Sequence, residues 1–411
     1  MKIKKFVLVF LLFALAFLLC ACDSNNRIND ETIYFGDDNI GNDLDGNDGF
    51  LDISKEMRGV WFSYLELKSA PKSSKEEFSN YLDERFEKLK KLSVNCIFVQ
   101  VRPFADAIYE SEIFPSSNCV VNKQGEKLPF DFLRVIIERA KKFSLSVHAW
   151  INPYRILSKD ESEESLSKNS LGKTLSYPDV VALSEGLFFS PASTEAQRLV
   201  ISGVREILQN YAVDGIHIDD YFYPTTDEEI DKTQFEAYKE RGGTMALSNW
   251  RRENVNALVR GIYTAVKDCS NKKIFSISPG GNIEKNRNVY FADVEKWGSE
   301  DGYCDILIPQ IYFGFENEHL PFESCAKEWR KIVTNKNVSL CAGLALYKVG
   351  KEDLNAGSGK DEWKTKSDII SRQVEFLRQE NYGGFCLYSL QFVNFNEKLL
   401  ANELKSLEDV I

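Results

Sequence analysis

Between Met57 and the C-terminus the hydrophobic spacing of this chain switches from strand-like to helix-like and back eight times, and few folds accommodate that. Short runs rich in β-branched and aromatic residues occupy 58–64, 95–102, 145–151, 214–219, 273–278, 304–311, 339–346 and 383–389. A longer amphipathic stretch follows each one, at 74–92, 131–143, 194–211, 249–267, 290–299, 321–334, 366–379 and 394–408. Parallel strands need crossover connections, and every gap here holds a helical one. The pattern predicts an α/β chain, a (β/α)8 TIM barrel forming a single domain over 53–411; a doubly wound sheet is the competitor. Ser73, three residues before Glu76, and Ser193, next to the turn containing Glu195, read as helix N-caps. Two connections are long, 152–193 and 220–248, and both leave C-terminal strand ends, where barrel enzymes build their clefts.

The first 22 residues read as a leader. Lys2, Lys4 and Lys5 precede an unbroken apolar run of 14 residues, Phe6 to Leu19. That run is short for a bilayer span and fits a signal-peptide core. It ends in Leu19-Cys20-Ala21-Cys22, which resembles a bacterial lipoprotein box. The resemblance implies cleavage before Cys22, lipidation of its thiol and a membrane tether outside the cytoplasm. Residues 23–52 carry nine Asp or Glu against one Arg, a net charge of -8, with no apolar periodicity. They read as a disordered acidic tether.

A net charge of -11 over 411 residues argues against a partner bound through a phosphate backbone, so no nucleic acid is expected. The seven cysteines beyond Cys22 are scattered and include no C-x-x-C pair. That spacing suits neither a zinc knuckle nor a dense disulfide framework, and no cofactor or metal is expected.

Strand alternation gathers polar side chains on one face. Cys96, Phe98, Gln100 and Arg102 share a face of the second run, and His148, Trp150 and Asn152 share one of the third. In the fourth, His217 and Asp219 face the axis and Asp220 opens the loop; Ser276 with Ser278, and Gln310 with Tyr312, do the same further on. A purely structural interior would carry Val, Ile and Leu there. Polar groups at five strand ends must be mutually hydrogen-bonded or serve a ligand.

The most informative segment is Asp214-Gly215-Ile216-His217-Ile218-Asp219-Asp220-Tyr221-Phe222-Tyr223-Pro224. Neighbouring carboxylates raise one another's proton affinity, so one proton is held near neutrality, as glycosidic chemistry requires of an acid and a base or nucleophile. Asp219 and Asp220 are the leading catalytic candidates, with Asp219 as nucleophile or base. Glu316, in a loop past the sixth strand, is the next, ahead of Asp106 and Glu66. Trp150, Tyr154, Tyr221 and Tyr312 offer flat apolar faces for sugar rings; Trp61, Tyr223 and Phe315 share that chemistry, although packing is the plainer role for Trp61.

Arg58-Gly59-Val60-Trp61, Gln100-Val101-Arg102-Pro103 with Asp106-Ala107-Ile108-Tyr109, His148-Ala149-Trp150-Ile151-Asn152-Pro153-Tyr154-Arg155, the segment from Asp214 to Pro224, and Pro309-Gln310-Ile311-Tyr312 occur in that order. Ser278-Pro279-Gly280-Gly281-Asn282 adds a weaker signal and makes Asn282 a substrate-binding candidate. Together they span nearly all of the expected domain and resemble the bacterial glycosyl-hydrolase-like family 10. The resemblance implies a (β/α)8 barrel that hydrolyses glycosidic bonds in cell-envelope polysaccharide, because some members of that family cleave peptidoglycan strands stripped of their stem peptides. It carries the family's paired aspartates onto Asp219 and Asp220. It carries the inner polar positions onto Arg102, Asp106, His148, Asn152, Tyr154 and Gln310. A chitinase-like strand end of the form D-G-x-D-x-D-x-E is not matched, because His217 and Tyr221 stand in two of its acidic slots. Two other readings remain: a carbohydrate-binding lipoprotein without turnover, and a metal-dependent deacetylase using His217, Asp219 and Asp220.

Overall fold

The computed structural model describes residues 55–411; the leader, the tether and Cys22 lie outside the described residues. The eight strand-like runs form β1 (Met57–Phe62), β2 (Cys96–Arg102), β3 (Ser146–Ile151), β7 (Gly215–Ile218), β8 (Ile274–Ile277), β9 (Ile306–Leu307), β10 (Ser339–Leu344) and β11 (Gly384–Leu387). They close a parallel barrel in that order, β11 pairing back onto β1. The crossover helices are α1 (Lys75–Lys91), α2 (Phe132–Lys142), α3 (Thr194–Asn210), α4 (Leu247–Cys269), α5 (Val294–Ser299), α6 (Phe322–Ile332), α7 (Ile369–Gln379) and α8 (Lys398–Glu408). This is the expected TIM barrel. The doubly wound alternative fails because the sheet has no open edge.

The caps follow local chemistry. Ser193 accepts from the Ala196 amide at 2.9 Å, as expected. The first crossover helix starts one residue later than expected: Ser74, not Ser73, accepts from the Glu77 amide at 3.1 Å. The sixth strand is shorter than the 304–311 run, because Pro309 has no amide to give the ladder and the pairing resumes only as single bridges at Gln310.

The connection 152–193 is not a plain loop. It holds an antiparallel sheet of β4 (Arg155–Ser158), β5 (Val180–Leu183) and β6 (Gly186–Phe189) in the order β4-β6-β5. The signal lay in Val180-Val181-Ala182-Leu183 and Gly186-Leu187-Phe188-Phe189 separated by two residues, a hairpin pattern. Gly186 has φ +132°, and a Cβ there would lie 2.1 Å from the Leu157 carbonyl oxygen, so only glycine fits.

One expected inward residue turns outward. On β2, Gln100 pairs with Trp150 and Arg102 with the very next residue, Ile151, so β2 carries one extra residue as a bulge. The bulge rotates Arg102 from the axis to the helix layer. There its guanidinium lies 3.8 Å from the Phe114 ring centroid, and a Cβ on Gly203 of α3 would come within 2.5 Å of its Nη1.

The connection 220–248 is pinned by a buried ion pair. Arg251 on α4 grips Asp231 with Nε and Nη2 at 2.9 and 2.7 Å. Its Nη1 and Nη2 also donate to the Thr226 and Asp227 carbonyls at 3.0 and 2.7 Å. Removing one partner leaves the other charge buried and uncompensated. Arg251→Met is therefore expected to lower stability by about 3–5 kcal/mol in urea unfolding. A double change with Asp231→Leu should recover much of that. A single-variant loss under about 1 kcal/mol would refute the assignment.

Candidate active site

The fourth barrel strand, β7, ends at Ile218, and alternation sends Asp219 toward the axis. Its buried carboxylate receives Trp150 Nε1 on Oδ2 at 2.9 Å and Asn152 Nδ2 on both oxygens at 3.2 and 3.3 Å. The Tyr221 amide adds a longer contact to Oδ1 at 3.4 Å. Asp220 is partly exposed beside it. Both line a cleft of 360 Å³ at the C-terminal mouth of the barrel, with Trp150, Gln310, Tyr312 and Arg155. Tyr64, Tyr221, Tyr347 and Tyr388 complete its aromatic rim, and Trp61 its floor. A hollow of 700 Å³ lies outside the barrel against α4 and α6, but no strand end reaches it. Strand ends carry the chemistry in this fold, so the smaller cleft is the candidate.

Burial, and then the charge of Asp220, push the Asp219 carboxyl up to about 7; the Trp150 bond and the Arg155 charge oppose the rise. Burial also raises Asp220, against Gln310 and Arg155. Two adjacent carboxyls, both above the usual range, titrate as a pair and hold a proton near neutrality. Such a pair can give a proton to a leaving oxygen and take one from water.

The two inner histidines lie under this floor, fully buried. His217 Nε2 accepts from Trp61 Nε1 at 3.1 Å and meets Ser278 Oγ at 2.9 Å, while Nδ1 meets Ser276 Oγ at 2.8 Å. Burial lowers its pKa well below the usual value, so it is neutral. His148 has no partner on either ring nitrogen, and burial drops its pKa to about 3. Neither histidine lines the cleft. With His217 spent on Trp61 and the two serines, it does not converge with Asp219 and Asp220 as a ligand set. No group of three or more His, Cys, Asp or Glu poised to hold a metal exists among the described residues.

Several expected site residues serve the site from behind or stand apart from it. Asn152 is buried and acts on Asp219, not on open space. Tyr154 is buried with an unpartnered hydroxyl. Asp106 is buried, takes Gln124 Nε2 at 3.4 Å, and is pushed up to about 6 by desolvation. Asn282 caps the short helix Ile283–Asn288 by accepting from the Lys285 amide at 2.9 Å. Glu316 is turned to the surface and pairs with Lys366, while its amide is held by Glu362 Oε2 at 2.9 Å. Glu66 is spent on the Ser63 and Gln391 amides, tying the first strand's loop to the last strand's. None of these six, nor Arg102, lines the cleft. Of the described carboxylates, only Asp219 and Asp220 do.

Five cleft residues were not singled out from sequence: Arg155, Tyr64, Leu65, Tyr347 and Tyr388. Arg155 closes the segment from His148 that carries part of the family resemblance, but no role was read for it there. Tyr388 lies within the eighth run, 383–389, and continues the inward alternation of Cys386.

The chain matches the family described as glycosyl hydrolase-like 10 over residues 56–358. It is 31% identical over 381 residues to the glycosyl hydrolase YngK of Bacillus subtilis, across 86% of this chain and 71% of that protein. It is 29% identical over 397 residues to the glycosyl hydrolase DigH of Escherichia coli K12, across 87% and 88%. Among solved structures it resembles the PgaB (BpsB) glycoside hydrolase domain from Bordetella bronchiseptica. The TM-score is 0.58 at 12% identity, over 85% of this chain and 98% of that one. It also resembles alpha-L-fucosidase isoenzyme 2 from Paenibacillus thiaminolyticus. There the TM-score is 0.53 at 14% identity, over 86% and 49%. At those identities the structural likeness is one of fold.

The raised Asp219 has a stability consequence. Its carboxyl titrates at about 3.8 when free and about 7 when folded, so the folded state binds the proton more tightly across that window. Its contribution is intact below about pH 4, is lost as pH rises through 7, and is flat above. Asp219→Asn is therefore expected to gain stability over wild type between pH 4 and pH 8, on the order of 1–3 kcal/mol, read by chemical denaturation at several pH values. A difference independent of pH would exclude a raised carboxyl.

Proposed function

The chain belongs to the glycosyl hydrolase-like 10 family and is a glycoside hydrolase; from that premise we propose that it cleaves peptidoglycan glycan strands, with Asp219 and Asp220 as its acid–base pair. What supports this most is that these two aspartates are the carboxylates lining the cleft among the described residues, and that both come from one strand end. The shared proton passes to the glycosidic oxygen as the bond breaks. The ionised partner then steadies the positive charge that develops at the anomeric carbon and draws a proton from the incoming water. Trp150 and Asn152 hold Asp219 still, so its charge needs no reorganisation as the reaction proceeds. The tyrosines at the rim offer faces for the C–H surfaces of sugar rings.

We also propose that the protein works outside the cytoplasm, lipid-anchored through Cys22. The apolar leader, the Ala21-Cys22 junction and the acidic stretch behind it favour this. An envelope glycan would then lie within reach.

Two measurements test the reading. Residues 53–411 are incubated with glycan strands stripped of stem peptides, beside intact peptidoglycan, and products are read by mass spectrometry. New saccharide ends are expected from wild type, with Asp219→Asn slower by about 10²–10⁴-fold in kcat. Equal rates would remove Asp219 from the chemistry. For the anchor, Cys22→Ser in the full chain should abolish labelled fatty-acid incorporation and release the protein from the membrane fraction. Continued labelling would place the lipid elsewhere.

A further inference from the structure

Arg155 is the one cation lining the cleft among the described residues. Its guanidinium lies between two rings, 4.4 Å from the Phe104 centroid and 4.6 Å from that of Tyr221. It forms no hydrogen bond or ion pair with any described residue, although two aspartates share the cleft with it. Its backbone is fixed. The Arg155 amide donates to Asn152 Oδ1 at 3.0 Å, and Arg155 pairs with Phe188 in the added sheet. An arginine stacked between rings, weakly hydrated and with its donor fork free, is built to receive a planar anion in two-point contact. A neutral sugar hydroxyl would not need it.

We propose that Arg155 is a specificity residue that binds a carboxylate carried on the sugar itself. The inference rests on the envelope-glycan reading above. In peptidoglycan, alternate sugars bear a lactyl ether whose carboxyl is joined to the stem peptide as an amide. Removing the peptide frees that carboxyl. The free acid offers two charged oxygens to the guanidinium fork, whereas the amide offers one neutral oxygen and an added chain. Arg155 thus reads whether the peptide has been removed. Asn152 binds Asp219 with its nitrogen and places Arg155 with its oxygen, so the recognised carboxylate and the bond to be cut are set from one side chain.

The experiment compares stripped glycan strands with free lactyl carboxyls against the same strands converted to primary amides with carbodiimide and ammonia. Wild type should prefer the free acid by about 10–100-fold in kcat/KM, the factor expected of a charge-assisted pair. Arg155→Met should bring that ratio close to one, chiefly by slowing cleavage of the free acid. Arg155→Lys should fall between, keeping charge but losing the fork. An unchanged ratio in Arg155→Met, or an equal slowing on both substrates, would overturn the assignment. So would a shifted pH profile at constant ratio, which would make Arg155 a tuner of the aspartates. If wild type cleaves neither form, the envelope-glycan reading falls, and binding decides this one separately. N-acetylmuramic acid and its amide are titrated against wild type and Arg155→Met. Tighter binding of the acid by wild type alone supports the carboxylate site; equal binding of the two sugars excludes it.

Discussion

The side-chain amide of Asn152 is the contact on which the mouth of this barrel depends. Its nitrogen donates to both oxygens of Asp219, and its oxygen takes the amides of Tyr154 and Arg155. One end fixes a carboxylate at the end of β7, and the other turns the chain out of β3 into the added sheet. Asparagine is suited to this because it carries a donor and an acceptor in one rigid plane. An aspartate there would repel Asp219, and a leucine would leave the two amides and the carboxylate short of partners. The positions of the acid pair and of the cleft's cation are therefore not independent.

Beneath the mouth, the barrel interior is polar where a structural barrel would be aliphatic. Trp61 spans this layer, its indole nitrogen donating to His217. It fits because Gly343 faces it from β10, where a Cβ would come within 2.8 Å of the indole. Gly215 makes the same room for His148. His217 is satisfied by Trp61 and the serines at 276 and 278, so its burial costs little net hydrogen bonding. His148 has no such partners and stays neutral at the expense of some stability. Apolar side chains such as Met57, Ile274 and Ile306 fill the layer with three buried cysteines, Cys96, Cys341 and Cys386. That apolar layer gives the polar floor a rigid base.

Much of this was legible from residue order, and the failures have identifiable causes. Eight alternating runs found all eight barrel strands, because parallel strands buried on both faces are continuous apolar stretches. The same alternation put Asp219, Trp150 and Gln310 at one mouth correctly. It misplaced Arg102 because a single extra residue on β2 reverses every later side chain, and a bulge leaves no local signature. Glu316 was misread for a different reason. Its loop does follow a strand end, but Glu362 holds the loop's amides and Lys366 draws the carboxylate outward, and both lie nearly 50 residues away. Arg155 escaped notice because its place between Phe104 and Tyr221, without a charged partner, is set by the fold and leaves no mark in residue order.

The placement of the acid pair sets the barrel's stability against its chemistry. Asp219 is buried where its charge is poorly solvated, next to a second carboxyl. The fold would be more stable at neutral pH with an uncharged acceptor such as asparagine there, which could still take hydrogen bonds from Trp150 and Asn152. The three donors to Asp219 reduce this penalty without removing it, since desolvation still dominates. They also hold the carboxylate in one orientation. A carboxyl that is both strained in its proton affinity and fixed in direction is ready to exchange a proton with whatever enters the cleft, while one relaxed by solvent would first have to shed water. The scaffold that tolerates this is the surrounding barrel, whose closed hydrogen-bond ladder and outer apolar layer do not depend on what occupies its mouth.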